Sequence, residues 1–449
     1  MKKLLLFAAA ATMVSASFAQ DAPSELKMTT QWAKTRVNGG WALDKLPAEA
    51  AGLFTGGNLT SRTAAVTDKY VVVGFSDNTE NYNVFLALFN KETGEHVKNV
   101  AVTCDGAQIA AQWAMACMGT DYAGHVYFGN LFLDEAKSVR TIYYMSDLEA
   151  GTAVKVGDFT IPADDTSAGV RHDYFDVAGD ITRETAPCVI MSASCSGGEQ
   201  AVVWGIQCEQ GGTEWTGKMA GGAYTTLPIT DLGDDGKTVL FGGSTVLKMV
   251  YNEDPEQMGS LFYVDGQNTA PLLYDTDGII QDKLDPAADP CPEQVGSNGI
   301  NDFTLGNDLY FAYACQQNDT RTYAERLGRL MITKASAEGK MAGSTLVGKY
   351  PEEGLGGNFN SGVWNHTIVP EVIEEGGNPV CYITHFIAAN GMARYRFGAE
   401  GAGVNDVVAD DVNAPVVYYN LQGMQISNPE AGQLVIKKQG KSAKKVLAL

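Results

Sequence analysis

Short apolar runs bounded by Gly, Asn and Asp recur along this chain in one order, and the recurrence limits the fold more than any other feature. One class of run is Tyr70-Val71-Val72-Val73-Gly74-Phe75, with counterparts centred on Tyr127, Ile190, Leu240, Tyr310 and Tyr382. The spacings from Val72 onward are 55, 63, 50, 70 and 72 residues. Each is followed by a second run, centred on Phe85, Tyr143, Val203, Phe262, Met331 and Tyr395, and then by a Gly-containing turn and a further strand. Period-2 and fully apolar runs of this length read as strands, and no long 3.6-period pattern interrupts them.

Six copies of one antiparallel meander form a repeat architecture. A four-stranded unit cannot bury both its faces alone, so units stack around an axis. The fold class is therefore all-β, a β-propeller of six blades with seven as the alternative count. Met28 to Val37, with Trp32, supplies either the strand that closes the ring or part of a seventh blade. A pair of β-sandwiches is the competing architecture, but its strands would not need this triplet order. Ordinary blades run ~40–50 residues, so these carry long insertions, which normally gather on one face.

With 449 residues the usual prior is two or three domains, but the repeat claims residues 20–410 as one. The ends read as processing signals. Residues 1–19 form a secretory signal peptide, with Lys2 and Lys3, an apolar stretch from Leu4 to Val14, and small residues at Ser17 and Ala19. That stretch is too short to span a bilayer, and no transmembrane segment is expected later in the chain.

Charge separates body from tail. The formal net charge is -21, from 32 Lys and Arg against 53 Asp and Glu, which argues against a nucleic-acid partner. Residues 411–449 hold five lysines against Asp411 and Glu430, a balance of +3, and residues 20–410 carry -26. A sign change of this kind marks a domain boundary.

The tail reads Val416-Val417-Tyr418-Tyr419-Asn420-Leu421-Gln422-Gly423, then Ile426, Pro429, Gly432, Leu434-Val435-Ile436-Lys437, Gly440 and Lys444-Lys445-Val446-Leu447. It resembles the C-terminal sorting domain of type IX secretion cargo, in a short form that ends with Ala448-Leu449. The resemblance implies a small β-domain, contact with secretion machinery, and delivery to the cell surface or the medium. Without a working tail, the periplasm is the expected compartment. The whole layout is similar to that of secreted propeller proteins of uncharacterised function that carry such tails.

Chemical motifs are mostly missing. Gly242-Gly243-Ser244-Thr245-Val246 lacks the last Gly of a nucleophile elbow, and Gly236-Lys237-Thr238 lacks the upstream Gly of a P-loop. Asp231 to Gly236 and Asp275 to Gly278 have the flavour of calcium loops without completing one. No CxxC or Cys/His set has metal-ligand spacing, so zinc is not expected, and neither is any other metal or cofactor. Among eight cysteines, a hairpin around Gly197-Gly198 would set Cys188 opposite Cys208 as a disulfide candidate, buried free thiols being the alternative.

Propellers bind ligands at the channel mouth, through the loops that lead into each innermost strand. Those positions hold Arg62, Trp113, Arg171, His172, Asp173, Asn301, Asp302, Trp364, Asn365 and His366. Trp faces stack on sugars, while Arg, Asn and Asp match hydroxyls and carboxylates. Taken singly, Trp113 and Trp364 read as packing between blades. Two functions fit: a binding protein of the cell envelope or surface with a glycan or protein ligand, and a propeller-type glycoside hydrolase or polysaccharide lyase. The second would use His172 or His366 with Asp173 or Asp302.

Overall fold

The computed structural model describes residues 26–35, 62–77, 81–110, 115–130, 139–160, 172–182, 188–193, 202–208, 214–218, 225–228, 245–252, 254, 256–266, 269–284, 299–315, 328–351, 354–355, 366–388, 390–399, 416–419, 425–427, 429, 434–439 and 442–447. Among them there is no helix, and so none long and apolar enough to cross a membrane. Contacts divide the chain into two compact units, one holding Leu26–Glu374 with Pro379–Gly398 and the other the C-terminal strands.

The larger unit is a six-bladed β-propeller. Each blade is a four-stranded antiparallel meander, inner strand to outer. Blade 1 comprises Ala65–Val66, Tyr70–Ser76, Val84–Asn90 and His96–Ala101. Blade 2 comprises Cys117–Thr120, Val126–Gly129, Val139–Met145 and Val154–Thr160. Blade 3 comprises Asp176–Ala178, Cys188–Ala193, Val202–Cys208 and Trp215–Gly217, with Thr225–Pro228 also paired to its third strand. Blade 4 comprises Val246–Met249, Leu261–Gly266, Thr269–Asp275 and Ile280–Lys283. Blade 5 comprises Ile300–Leu305, Asp308–Cys315, Arg329–Lys334 and Thr345–Tyr350.

Blade 6 closes the ring. Its inner three strands are His366–Glu375, Asn378–Ile387 and Gly391–Ala399, and its outermost strand is Leu26–Thr35 from the other end of the chain. The segment around Trp32 is thus the closing strand, and no seventh blade is needed. Trp32 Nε1 donates to the Lys91 carbonyl of blade 1 at 2.9 Å, tying the closure to the first blade.

Burial explains the sequence pattern. Strand Tyr70–Ser76 is buried at every position but the first, because each of its faces packs on a neighbouring blade. The outer strand Thr345–Tyr350 is exposed or half-buried throughout. The apolar core is accordingly six clusters, one per seam. At the seam between blades 2 and 3, for example, Tyr127, Ile142 and Phe159 meet Phe175, Ile190 and Trp204.

Near the axis each seam carries a polar clasp as well. Thr63 Oγ1 accepts from the Met118 amide at 2.7 Å, and the Cys117 thiol donates to the Asp173 carbonyl at 3.1 Å. Asp176 accepts from Lys248 Nζ and the Met249 amide, both at 2.8 Å. Asp265 accepts from the Gly299 amide at 3.0 Å, Asn301 Nδ2 donates to the Ile368 carbonyl at 3.3 Å, and Thr367 Oγ1 accepts from the Ala64 amide at 2.8 Å. Short inner strands leave backbone groups without ladder partners, and these side chains satisfy them across blades.

Two sequence expectations need correction. Phe262 lies on the second strand of blade 4, not the third, which is Thr269–Asp275. The corresponding runs of the other blades are third strands, and the run at Leu240 that precedes Phe262 lies outside the described residues. The strand pairing does set Cys188 opposite Cys208, yet Cys188 is a free thiol, so the expected disulfide is not formed. Its Sγ instead approaches the Tyr127 hydroxyl of blade 2 at 3.5 Å.

The C-terminal unit holds one four-stranded antiparallel sheet, in the order Gln425–Ile426, Val416–Tyr419, Leu434–Gln439, Ser442–Leu447. Its strands coincide with the apolar stretches of the sorting-like tail.

Candidate functional site

Within a four-stranded meander, the connection into the inner strand and the connection from second to third strand leave at the same end. The connections that enter inner strands cover residues 36–64, 102–116, 161–175, 218–245, 284–299 and 351–365. The turns from inner to second strand at the other end are short in three blades, such as 306–307 and 376–377. The strand ends that these connections join therefore lie at one end of the blades, here termed the mouth.

At the mouth the residues ahead of the inner strands interlock. Arg62, before the inner strand of blade 1, donates from Nη1 to Asp173 Oδ1, before the inner strand of blade 3, so the ion pair spans blade 2. The two residues are 4% and 0% exposed. Arg140, on the third strand of blade 2, is also fully buried. It donates from Nη2 to the His172 carbonyl at 2.5 Å and from Nη1 to the Tyr174 carbonyl at 3.4 Å. Its guanidinium carbon lies 5.6 Å from the centroid of the Phe175 ring. Arg140 thus holds the backbone that presents Asp173 to Arg62.

Burial sets the protonation states here. His172 bonds Ser192 Oγ through Nδ1 at 2.5 Å, and burial beside Arg140 holds its imidazole well below the ordinary histidine range. Burial pushes the Cys117 thiol up to about 11. A thiol that is neutral at neutral pH is a poor nucleophile.

Asn301 and Asp302 are neighbours on the inner strand of blade 5 and serve opposite seams, as strand alternation requires. Asn301 bonds blade 6, whereas Asp302 bonds the Tyr263 hydroxyl of blade 4, and burial raises its carboxyl. His366, 2% exposed, shares a proton with His385 across 2.8 Å, their rings stacked at 5.0 Å. The structure therefore brings Arg62 and Asp173 into contact, with His172 behind them. It turns Asn301 and Asp302 into the seams and leaves His366 on the wall of the channel, bonded to His385 of its own blade. Trp113, Arg171, Trp364 and Asn365 lie outside the described residues.

Inner strands of all six blades line a channel cavity of about 30 Å³, with Ala64, Thr120, Asp176, Lys248, Ile300 and His366 among its walls. Small-molecule pockets run ~300–1,000 Å³. A cavity this size takes a few waters.

Arg140, Cys117 and the Asp176–Lys248 pair were not legible as part of the mouth. Their only sequence signal is a polar residue inside an apolar run, which an outward-facing strand position also produces.

No protein-family model matches the chain, and no curated protein sequence matches it. Solved structures do. A DUF4623 family protein from Bacteroides eggerthii superposes with a TM-score of 0.54 at 13% identity, covering 84% of this chain and 76% of that one. An alpha-L-arabinofuranosidase from Fusarium graminearum in complex with an iminosugar inhibitor gives a TM-score of 0.39 at 10% identity, over 76% and 92% of the two chains. A Trypanosoma rangeli sialidase gives 0.38 at 7% identity, over 84% and 67%. At these identities the likeness is one of fold.

Proposed function

We propose that this is an exported binding protein of the cell envelope or cell surface, taking a glycan or protein ligand on the mouth connections of its propeller. The observation that carries the reading is the asymmetry of the connections: the longest ones all join strand ends on one side of a ring clasped at its seams. Loops positioned by a rigid scaffold are where recognition is built. Beneath them the described inner strands line a cavity of about 30 Å³, room for a few waters.

The runner-up is a propeller-type glycoside hydrolase or polysaccharide lyase. Glycoside hydrolysis needs two carboxyl groups flanking a bond, ~5–10 Å apart. Asp173 is engaged by Arg62, and Asp302 faces the seam with blade 4. The raised carboxyl of Asp302 is the one feature that favours acid catalysis, but its partner is the Tyr263 hydroxyl.

The finer reading of the tail belongs here too. Residues 411–449 act as a type IX sorting signal, supported by the match between the sorting-like pattern and the four-stranded sheet. A reporter fused to residues 411–449 would reach the cell surface in a type IX-competent host, and periplasmic retention would count against it.

A glycan array with a thermal-shift screen on the secreted chain tests the binding reading. A hit weakened by Trp113→Ala or Trp364→Ala supports it. Turnover of any glycan would favour the enzyme instead.

A further inference from the structure

At the opposite end of the blades from the mouth, two turns bring together a nitrogen donor and two carboxylates from different blades. Asp121 and His125 belong to the turn between inner and second strands of blade 2, and Asp180 to the corresponding turn of blade 3. One donor atom of each lies within 4.8 Å of the others. We propose that Asp121, His125 and Asp180 form a site for a divalent transition ion of the zinc type, a property independent of ligand binding at the mouth.

The donor chemistry selects the ion. One imidazole nitrogen with two carboxylate oxygens is a borderline-soft set that suits Zn²⁺, Co²⁺ or Mn²⁺, whereas calcium takes oxygen only. Three protein ligands leave a further position for water, as in open zinc sites.

The geometry of the gap points the same way. His125 Nδ1 is 2.8 Å from Asp121 Oδ2 but 3.9 Å from Asp180 Oδ1. The second separation is too long for a hydrogen bond. Two ligands of one tetrahedral ion at ~2.1 Å stand ~3.4 Å apart, so seating it closes this gap, and opens the 2.8 Å His125–Asp121 contact, by about half an ångström each. The Asp121 and Asp180 side chains are 0% and 6% exposed. A cation shared by these two buried carboxylates would be held in a low-dielectric site. Burial pushes the Asp121 carboxyl above its ordinary range, and the Asp180 carboxylate adds to the push.

The supporting contacts orient the donors. Asp121 Oδ1 accepts from the Ala123 and His125 amides at 3.0 and 2.9 Å, which turns Oδ2 towards the site, and Tyr127 donates to Oδ2 at 3.3 Å. Asp180 Oδ1 accepts from the Thr182 amide and hydroxyl at 2.9 and 2.7 Å. Such outer contacts fix ligand geometry in metal sites. A motif search misses the set because its third ligand comes from another blade, 55 residues after His125.

The test uses the whole chain, stripped with chelator and titrated with Co²⁺, then Zn²⁺. The expected result is one Co²⁺ per chain with visible absorption bands that Zn²⁺ removes, and affinity at least ~10-fold lower in His125→Gln and in Asp180→Asn. Circular dichroism of the stripped variants checks their fold. A wild-type chain that retains no ion after gel filtration would overturn the proposal, as would equal retention by the folded double variant.

Discussion

Arg62 and Asp173, 111 residues apart, form a buried ion pair that bridges two blades across a third. Removing one partner of a buried pair costs about 3–5 kcal/mol in a low-dielectric site. Arg62→Ala should therefore lower the denaturant midpoint by that equivalent, and Asp173→Asn should do nearly as much. A midpoint within 1 kcal/mol of wild type, a margin on the order of a surface pair's worth, would place the pair in water rather than in the core.

The His366–His385 pair makes stability depend on pH in one direction. Burial and the neighbouring imidazole hold His385 well below the ordinary histidine value. In the unfolded chain it protonates near pH ~6.5. Above that pH both states are neutral and stability is complete. As pH falls through 6.5 the unfolded state takes up a proton that the folded state refuses, and stability drops by up to about 1.4 kcal/mol per pH unit for each such group. His172 is shifted the same way and adds to the slope. His385→Gln should flatten the loss between pH 7 and pH 5, and an unchanged slope would exclude the pair as its source.

Thiol labelling should sort the cysteines by burial. Cys104 is half-buried, whereas Cys117 and Cys188 are buried free thiols with raised values. At pH 8 a thiol reagent should modify Cys104 in the folded chain and reach Cys117 and Cys188 only after denaturation. Peptide mapping that found Cys188 joined to Cys208 would reverse the correction made above.

Ring closure rests on a close approach at Gly94. Its φ is +67°, and a Cβ there would lie 2.6 Å from Trp32 Cε3 on the closing strand. Gly94→Ala combines left-handed backbone strain with overpacking, at about 2 kcal/mol or more. A chain begun at residue 36 would lose Leu26–Thr35 altogether and expose the edge of Gly391–Ala399. Size-exclusion chromatography should then show association through that edge.

What could be read in advance follows from which residues carry a local signal. Tyr70–Ser76 and the stretch Val203–Ile206 are buried on both faces, so they stand out as unbroken runs, and the blade order came from such runs. Inner strands such as Ala65–Val66 and Asp176–Ala178 are only two and three residues long, too short to be seen. That is why blade 4 was misregistered: Val246–Met249 went unrecognised beside the longer run at Leu240. The mouth was legible as positions, since Arg62 and Asp173 both precede inner strands. Their pairing was not, because the contact depends on ring closure, and Arg140 acts through backbone carbonyls that no motif records. The Asp121, His125 and Asp180 set fails to register for the same reason.

The central claim is that ligand binds on the mouth connections above a closed channel. Its most direct measurement is the affinity of the best glycan-array or protein hit for the whole chain, for Trp113→Ala and for Trp364→Ala, with melting temperature followed in parallel. The account predicts at least ~10-fold weaker binding in one or both variants at unchanged melting temperature, the loss of about 1.4 kcal/mol that one stacked aromatic contributes. Equal affinity in all three chains would contradict it.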